Sequence, residues 1–142
     1  MAVGNANLVD KLLTIKSNLD SGVPQAIQKM GIAALKAPLD SIEERNAIYQ
    51  GRRDKVVEVL KSMGLRVQTP KASLYVWACV PDGYTSGEFS ECVLEETDIF
   101  VTPGTGYGEH GEGYIRLSLT VPDDQLDKAV DRLATWNIPE PR

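Results

Sequence analysis

Arg116 is the residue whose type and setting first suggest chemistry. It sits at the centre of Tyr114-Ile115-Arg116-Leu117-Ser118-Leu119-Thr120, directly after the glycine-rich run from Thr102 to Gly113. Side chains alternate across a strand, so Ile115, Leu117 and Leu119 share a face fit for a core. Tyr114, Arg116, Ser118 and Thr120 share the other face. A guanidinium is a planar fork that grips a carboxylate through two parallel hydrogen bonds. Arg116, among hydroxyls on the open face of a sheet, is therefore a candidate carboxylate receptor. The plainer alternative is a surface arginine in an ion pair.

The neighbouring residues offer less. Gly104, Gly106, Gly108, Gly111 and Gly113 give the loop around Tyr107 access to positive φ and to lid-like movement. Tyr107 either faces a ligand or packs its own loop. His110 is the single histidine of the chain and reads as a solvated loop residue. Cys79 and Cys92 lie on separate apolar segments, outside any Cys-x-x-Cys or metal-ligand pattern, and read as small buried hydrophobes. No metal site is expected. Tyr75 and Trp77 share one strand face and read as packing aromatics.

The elements that must position these residues follow from periodicity. Leu8, Leu12, Ile15 and Leu19 predict a helix over 5–20, with Asn7 as its N-cap. Pro24 suits the first turn of a second helix striped by Ile27, Met30 and Leu35. Asp40 and Ser41, followed by Glu43 and Glu44, open a long helix over 40–63, closed by Gly64. Leu65–Gln68 is expected as a short strand and Leu74–Val80 as a clear one. Thr85 or Ser86 caps a helix to Glu96, with Phe89, Cys92 and Val93 inward. Asp98–Thr102 is expected as a strand. Pro122-Asp123-Asp124 opens a last helix with Leu126, Val130, Leu133 and Trp136 on one face. The tail from Asn137 is expected to be loose. Single helices between strands, with one strand face left polar, imply α/β structure in two layers. The expected fold is a mostly antiparallel sheet covered by helices on one face.

Bulk properties narrow the classes. A chain of 142 residues with 42% hydrophobic and 25% charged residues suits one domain, or one domain with part of another. Its net charge of −5, with no dense basic cluster, argues against nucleic acid as a partner. No apolar run approaches the roughly 18 residues of a membrane span, and the start lacks a signal-peptide pattern. The cytoplasm is the expected compartment.

Several motifs, taken in order, resemble the class I/II, fold-type I pyridoxal-phosphate-dependent aminotransferases. Pro103-Gly104, Tyr107-Gly108 and Tyr114-Ile115-Arg116-Leu117-Ser118 resemble that family's Pro-Gly loop, aromatic-Gly pair and arginine strand. Ala2-Val3-Gly4-Asn5 resembles its segment after the cofactor lysine. Tyr49, Arg52, Arg53 and Asp54 resemble its Tyr-x-x-Arg-Arg-Asp helix, and Leu74-Tyr75-Val76-Trp77 its small-domain strand. The resemblance spans nearly the whole chain and is nearest the branch that includes LL-diaminopimelate aminotransferases, with aspartate-type transaminases close behind.

The resemblance implies amino-group transfer between an amino acid and a 2-oxo acid in a homodimer. It makes 1–38 a helical remnant of the large cofactor domain and 39–142 the C-terminal small domain. It gives Arg116 the substrate α-carboxylate, sets Tyr107 near the cleft entrance and brings Asn18 within reach of a neighbouring subunit's cleft. Tyr75 and Trp77 would pack on the large domain. Met1 falls just after the cofactor lysine, so the chain reads as a C-terminal piece. No catalytic or cofactor-binding residue is expected within it. Pyridoxal phosphate is expected in the full-length enzyme and not on this piece, which alone is expected to be inactive. Two alternatives stay open: a β-lyase of the same fold, and the effector-sensing domain of an aminotransferase-like transcription regulator.

Overall fold

A computed structural model describes residues 2–141 of the chain. They fall into two compact units, which divide between Asp40 and Ser41.

The first unit holds α1 (Ala6–Leu19) and α2 (Gln25–Lys36). Asn5, not Asn7, caps α1: its side chain accepts from the backbone N–H groups of Asn7 and Leu8. Only a residue with extended backbone can turn its side chain back onto the first free N–H groups, and Asn7 is already helical. Pro24 stands one position ahead of its expected place. It is the N-cap of α2, and its carbonyl accepts the first helical bond, from Gln28. Neither helix buries a side chain. The stripes of Leu8, Leu12, Ile15 and Leu19, and of Ile27, Met30 and Leu35, are all exposed.

The second unit opens with α3 (Asp40–Ser62). Its charged first half is exposed, and its last turns bury Val56, Val57, Val59 and Leu60. Gly64, at φ +84°, ends it in a Schellman motif. Leu65 N–H donates to Leu60 and Gly64 N–H to Lys61. The expected strand over Leu65–Gln68 reduces to one bridge, Val67 to Ala78, flanked by the bond from Cys79 N–H to the Arg66 carbonyl. Thr69-Pro70 turns the chain away before a ladder can grow.

Three antiparallel strands, β1 (Tyr75–Cys79), β2 (Thr102–Pro103) and β3 (Tyr114–Ser118), lie in the order β1-β3-β2. β2 is shorter than the expected Asp98–Thr102. Asp98 is taken as the left-handed C-cap of α4 (Ser86–Thr97), where Arg132 holds the Thr97 carbonyl at 3.0 Å. Thr85 and Glu88 close a capping box at the other end of α4.

The core lies on one face of the sheet. Val76, Ala78, Ile115 and Leu117 meet Val56 and Leu60 of α3, Phe89 and Val93 of α4, and Leu126 and Leu133 of α5 (Asp123–Thr135). The sheet with helices on one side is the architecture that alternation implied. Two expectations about packing change. The cysteines are half-buried rather than buried, because Cys79 falls on the outward phase of β1. The tail after α5 is tied down: Ile138 joins the core and the Tyr84 hydroxyl donates to the Pro139 carbonyl at 3.1 Å.

Candidate functional site

The face of the sheet away from the helices carries the candidate site. In an antiparallel ladder, directly opposed residues point to the same side. Arg116 on the central strand is opposed by Trp77 of β1 and Thr102 of β2, while Tyr75 opposes Ser118 and Cys79 opposes Tyr114. Arg116 therefore stands in the middle of a face rich in aromatic rings.

Two of those rings touch it. The guanidinium carbon lies 3.9 Å from the centroid of the Tyr75 ring and 4.3 Å from that of Tyr107. Tyr107 is itself held edge-on by Trp77, with centroids 5.5 Å apart at 70°, and Trp77 meets Tyr114 at 6.4 Å. Arg116 Nε is buried, and no described atom accepts its hydrogen bond. No described carboxylate pairs with this guanidinium either, which sets aside the plain surface ion pair within the described residues. Arg52, Arg53 and Arg132 behave differently: each is engaged by a backbone carbonyl and by an aspartate.

The glycine run positions Tyr107 through close packing. It folds as two 3-10 turns, Gly104–Tyr107 and Glu109–Gly111. Gly104 and Gly111 approach so nearly that a Cβ on either would fall on the other's carbonyl oxygen. Positive φ is used only at Gly108, +112°, and Gly113, +81°. The loop is then fastened to the start of α4. Buried Ser86 donates from Oγ to the Gly111 carbonyl and accepts from Tyr114 N–H at 3.1 Å. The Glu112 carboxylate accepts from Ser86 N–H at 2.7 Å and from Gly113 N–H at 2.9 Å. Those two bonds, Ser86's first, hold its pKa below the ordinary value of 4.5. Through these bonds the glycine-rich loop is stapled to the start of α4.

The sequence-derived candidates separate. Arg116 and Tyr107 are in contact. Asn18 belongs to the other unit, where its amide donates to the Thr14 carbonyl one turn back in α1 at 2.7 Å. His110 is fully exposed, as a loop residue should be. Tyr75 and Trp77, which read as packing aromatics, join this cluster: Tyr75 contacts the guanidinium and Trp77 contacts Tyr107. Their shared strand face was a signal, but the register that sets Trp77 opposite Arg116 was not visible.

An aldehyde cofactor needs an amine that can lose its proton, which calls for a lysine desolvated or crowded by positive charge. Every lysine, from Lys11 to Lys128, is exposed. Lys55 is driven the opposite way: its bond to Asp127 raises its pKa above the ordinary lysine value. Among the described residues, then, no lysine is desolvated by burial.

Comparison with known proteins identifies the family. The family model for aminotransferase class I and II matches residues 1–133. An LL-diaminopimelate aminotransferase of Dehalococcoides mccartyi is 60% identical over 136 residues, covering 96% of this chain and 35% of that protein. One from Moorella thermoacetica is 48% identical over 132 residues, covering 93% and 34%. Among solved structures, a probable N-succinyldiaminopimelate aminotransferase from Thermus thermophilus matches with a TM-score of 0.83 at 28% identity. It covers 93% of this chain and 35% of its own. An aminotransferase from Staphylococcus aureus matches with a TM-score of 0.82 at 34% identity and the same coverage. The chain spans about 35% of the length of the relatives it matches.

Proposed function

The chain belongs to the class I and II aminotransferases, and from that premise we propose that Arg116 receives the α-carboxylate of the substrate in an amino-group transfer. The observation that carries this reading is the guanidinium itself. It is fixed by two aromatic rings, yet no described acceptor takes its N–H groups. A bidentate carboxylate would satisfy the fork and orient the substrate. Holding the carboxylate fixes the direction of the neighbouring Cα–H bond, and such alignment is worth several kcal/mol in well-placed reactions.

The family generally depends on pyridoxal phosphate. Because no described lysine suits its aldehyde, we assign the cofactor's anchor to sequence that the relatives carry and this chain does not span. LL-diaminopimelate is the proposed amino donor, on the strength of the relatives' names, and a 2-oxo acid the acceptor. We assign residues 1–38 to the large-domain remnant and 39–142 to the small domain. A homodimer is the proposed assembly, supported by the exposed apolar stripes of α1 and α2. Light scattering across a range of concentrations tests it, and a strictly monomeric mass would count against it.

The decisive experiment is Arg116→Lys and Arg116→Ala in the full-length enzyme. Lysine keeps the charge and loses the fork. Both variants should lower kcat/KM for the amino acid, Arg116→Ala by roughly 100-fold or more. The absorbance of bound cofactor should stay as in the parent. Wild-type efficiency in either variant would overturn the assignment.

A further inference from the structure

We propose that Tyr75 and Tyr107, with Trp77 behind Tyr107, are positioning residues that aim Arg116 by stacking alone and leave its hydrogen-bond donors free. The proposal rests on the reading of Arg116 as the carboxylate receptor and adds how this chain readies it.

Arginine has many rotamers to lose when its side chain is fixed. Arg52, Arg53 and Arg132 are fixed by oxygen acceptors. An acceptor on Arg116 would compete directly with an incoming carboxylate. Aromatic rings do not compete in that way. They attract the cation through the ring quadrupole, above the guanidinium carbon, whereas the five N–H bonds lie in the guanidinium plane. With rings at 3.9 and 4.3 Å, and Nε buried without a partner, stacking is what holds the Arg116 head group among the described residues.

The rings are held in turn. Tyr75 is fixed by its ladder position opposite Ser118. Tyr107 is set by the tight Gly104–Gly111 approach and by the edge of Trp77 at 5.5 Å. Neither tyrosine hydroxyl makes a described hydrogen bond, so the ring and not the hydroxyl carries the effect. The site is thus pre-organised before substrate arrives, and the ordering cost is met during folding.

The test uses the full-length enzyme and compares the amino acid donor with the amine that lacks its carboxylate. Tyr107→Leu and Tyr75→Leu should each lower the amino-acid-over-amine preference in kcat/KM by about tenfold, from the loss of one desolvated cation–π contact. Tyr107→Phe and Tyr75→Phe should stay within about twofold of the parent. Trp77→Leu should lie between the two. General damage to the fold lowers both substrates together and leaves the preference unchanged, and that result overturns the proposal. Equal losses in the Phe and Leu variants overturn it as well, because the hydroxyl would then be the active part. If Arg116→Lys lowers efficiency while the ring variants keep the preference, this proposal fails alone. If Arg116→Lys has no effect, the carboxylate reading fails first. A measurement without substitution completes the test: the Arg116 Nε–H proton resonance of the unaltered enzyme should be displaced upfield by the rings, and a resonance at the position of a free arginine overturns the proposal.

Discussion

Arg52 and Arg116 differ in whether protein oxygens take their hydrogen bonds. Arg52 reaches from α3 to the far end of the β3 segment. Its Nε donates to Asp123 at 2.6 Å and an Nη to the Leu119 carbonyl at 2.9 Å. Its side chain is only 15% exposed, two of its donors are engaged and the Tyr49 ring lies 5.3 Å from its guanidinium carbon, so it ties α3 to the start of α5. Arg116, on the open face of the same strand, has aromatic contacts and no described acceptor. The difference teaches how to read an arginine. Engagement by protein oxygens marks a structural clamp, whereas a guanidinium in contact with aromatic rings and with no described acceptor is ready for a ligand.

The largest expected effect comes from destroying one region while sparing the other. Gly104→Ala drives a Cβ into the Gly111 carbonyl and must move backbone. It should cost about 3 kcal/mol or more, a fall in Tm of roughly 10 °C, and should displace Tyr107 from Arg116. An unchanged Tm would show that the loop is looser than its geometry implies. The Arg52 clamp, which shares no contact with the loop, should survive the change.

A direct exchange of roles gives the next effect. Arg52→Ala strands the part-buried Leu119 carbonyl and returns the exposed Asp123 carboxylate to water, and should cost about 2 kcal/mol, or roughly 6 °C in Tm. Arg116→Met keeps apolar bulk on the open face and removes a buried Nε that has no partner. It should shift Tm by no more than about 2 °C in either direction. Thermal unfolding of both variants makes the comparison, and an equal loss in the two would erase the distinction between clamp and receptor.

The smallest effect sharpens the loop side through pH. Glu112 has its pKa held below 4.5 by the N–H groups of Ser86 and Gly113. A carboxylate depressed in the folded state adds stability that is complete above its unfolded pKa. That stability is lost as pH falls through the lower folded value. Glu112→Gln removes this part. The Tm difference between parent and variant should therefore be constant at and above pH 6 and shrink as the pH is lowered below about 4.5. A gap that stays the same down to pH 3 would mean that the carboxylate does not staple the loop.

Much of this protein was legible without coordinates because its signals are local. Alternation of Ile115, Leu117 and Leu119 against Arg116 and Ser118 needs only the two-residue period of a strand, and the three apolar residues are indeed buried. Gly64 closes α3, and Thr85 with Glu88 opens α4, since caps depend on a few adjacent residues. Errors came where local signals competed. Two asparagines two residues apart could each cap α1, and backbone conformation chose Asn5. Asp98 could begin a strand or end a helix, and its left-handed conformation ended α4.

The sequence by itself determined the element types, the face on which Arg116 stands and, through collinear motifs, the aminotransferase family. Only the tertiary structure decided what surrounds that arginine. Tyr75 and Arg116 are 41 residues apart in number, and what brings their side chains together is the register of two antiparallel strands. A shift of one residue in that register would turn the β1 aromatics away from Arg116. Likewise, the glycine run permits many loop shapes, and the approach of Gly104 to Gly111 selects the one that brings Tyr107 over the guanidinium. Long-range pairing and close packing are properties of the folded chain, because each depends on residues that the local pattern does not relate.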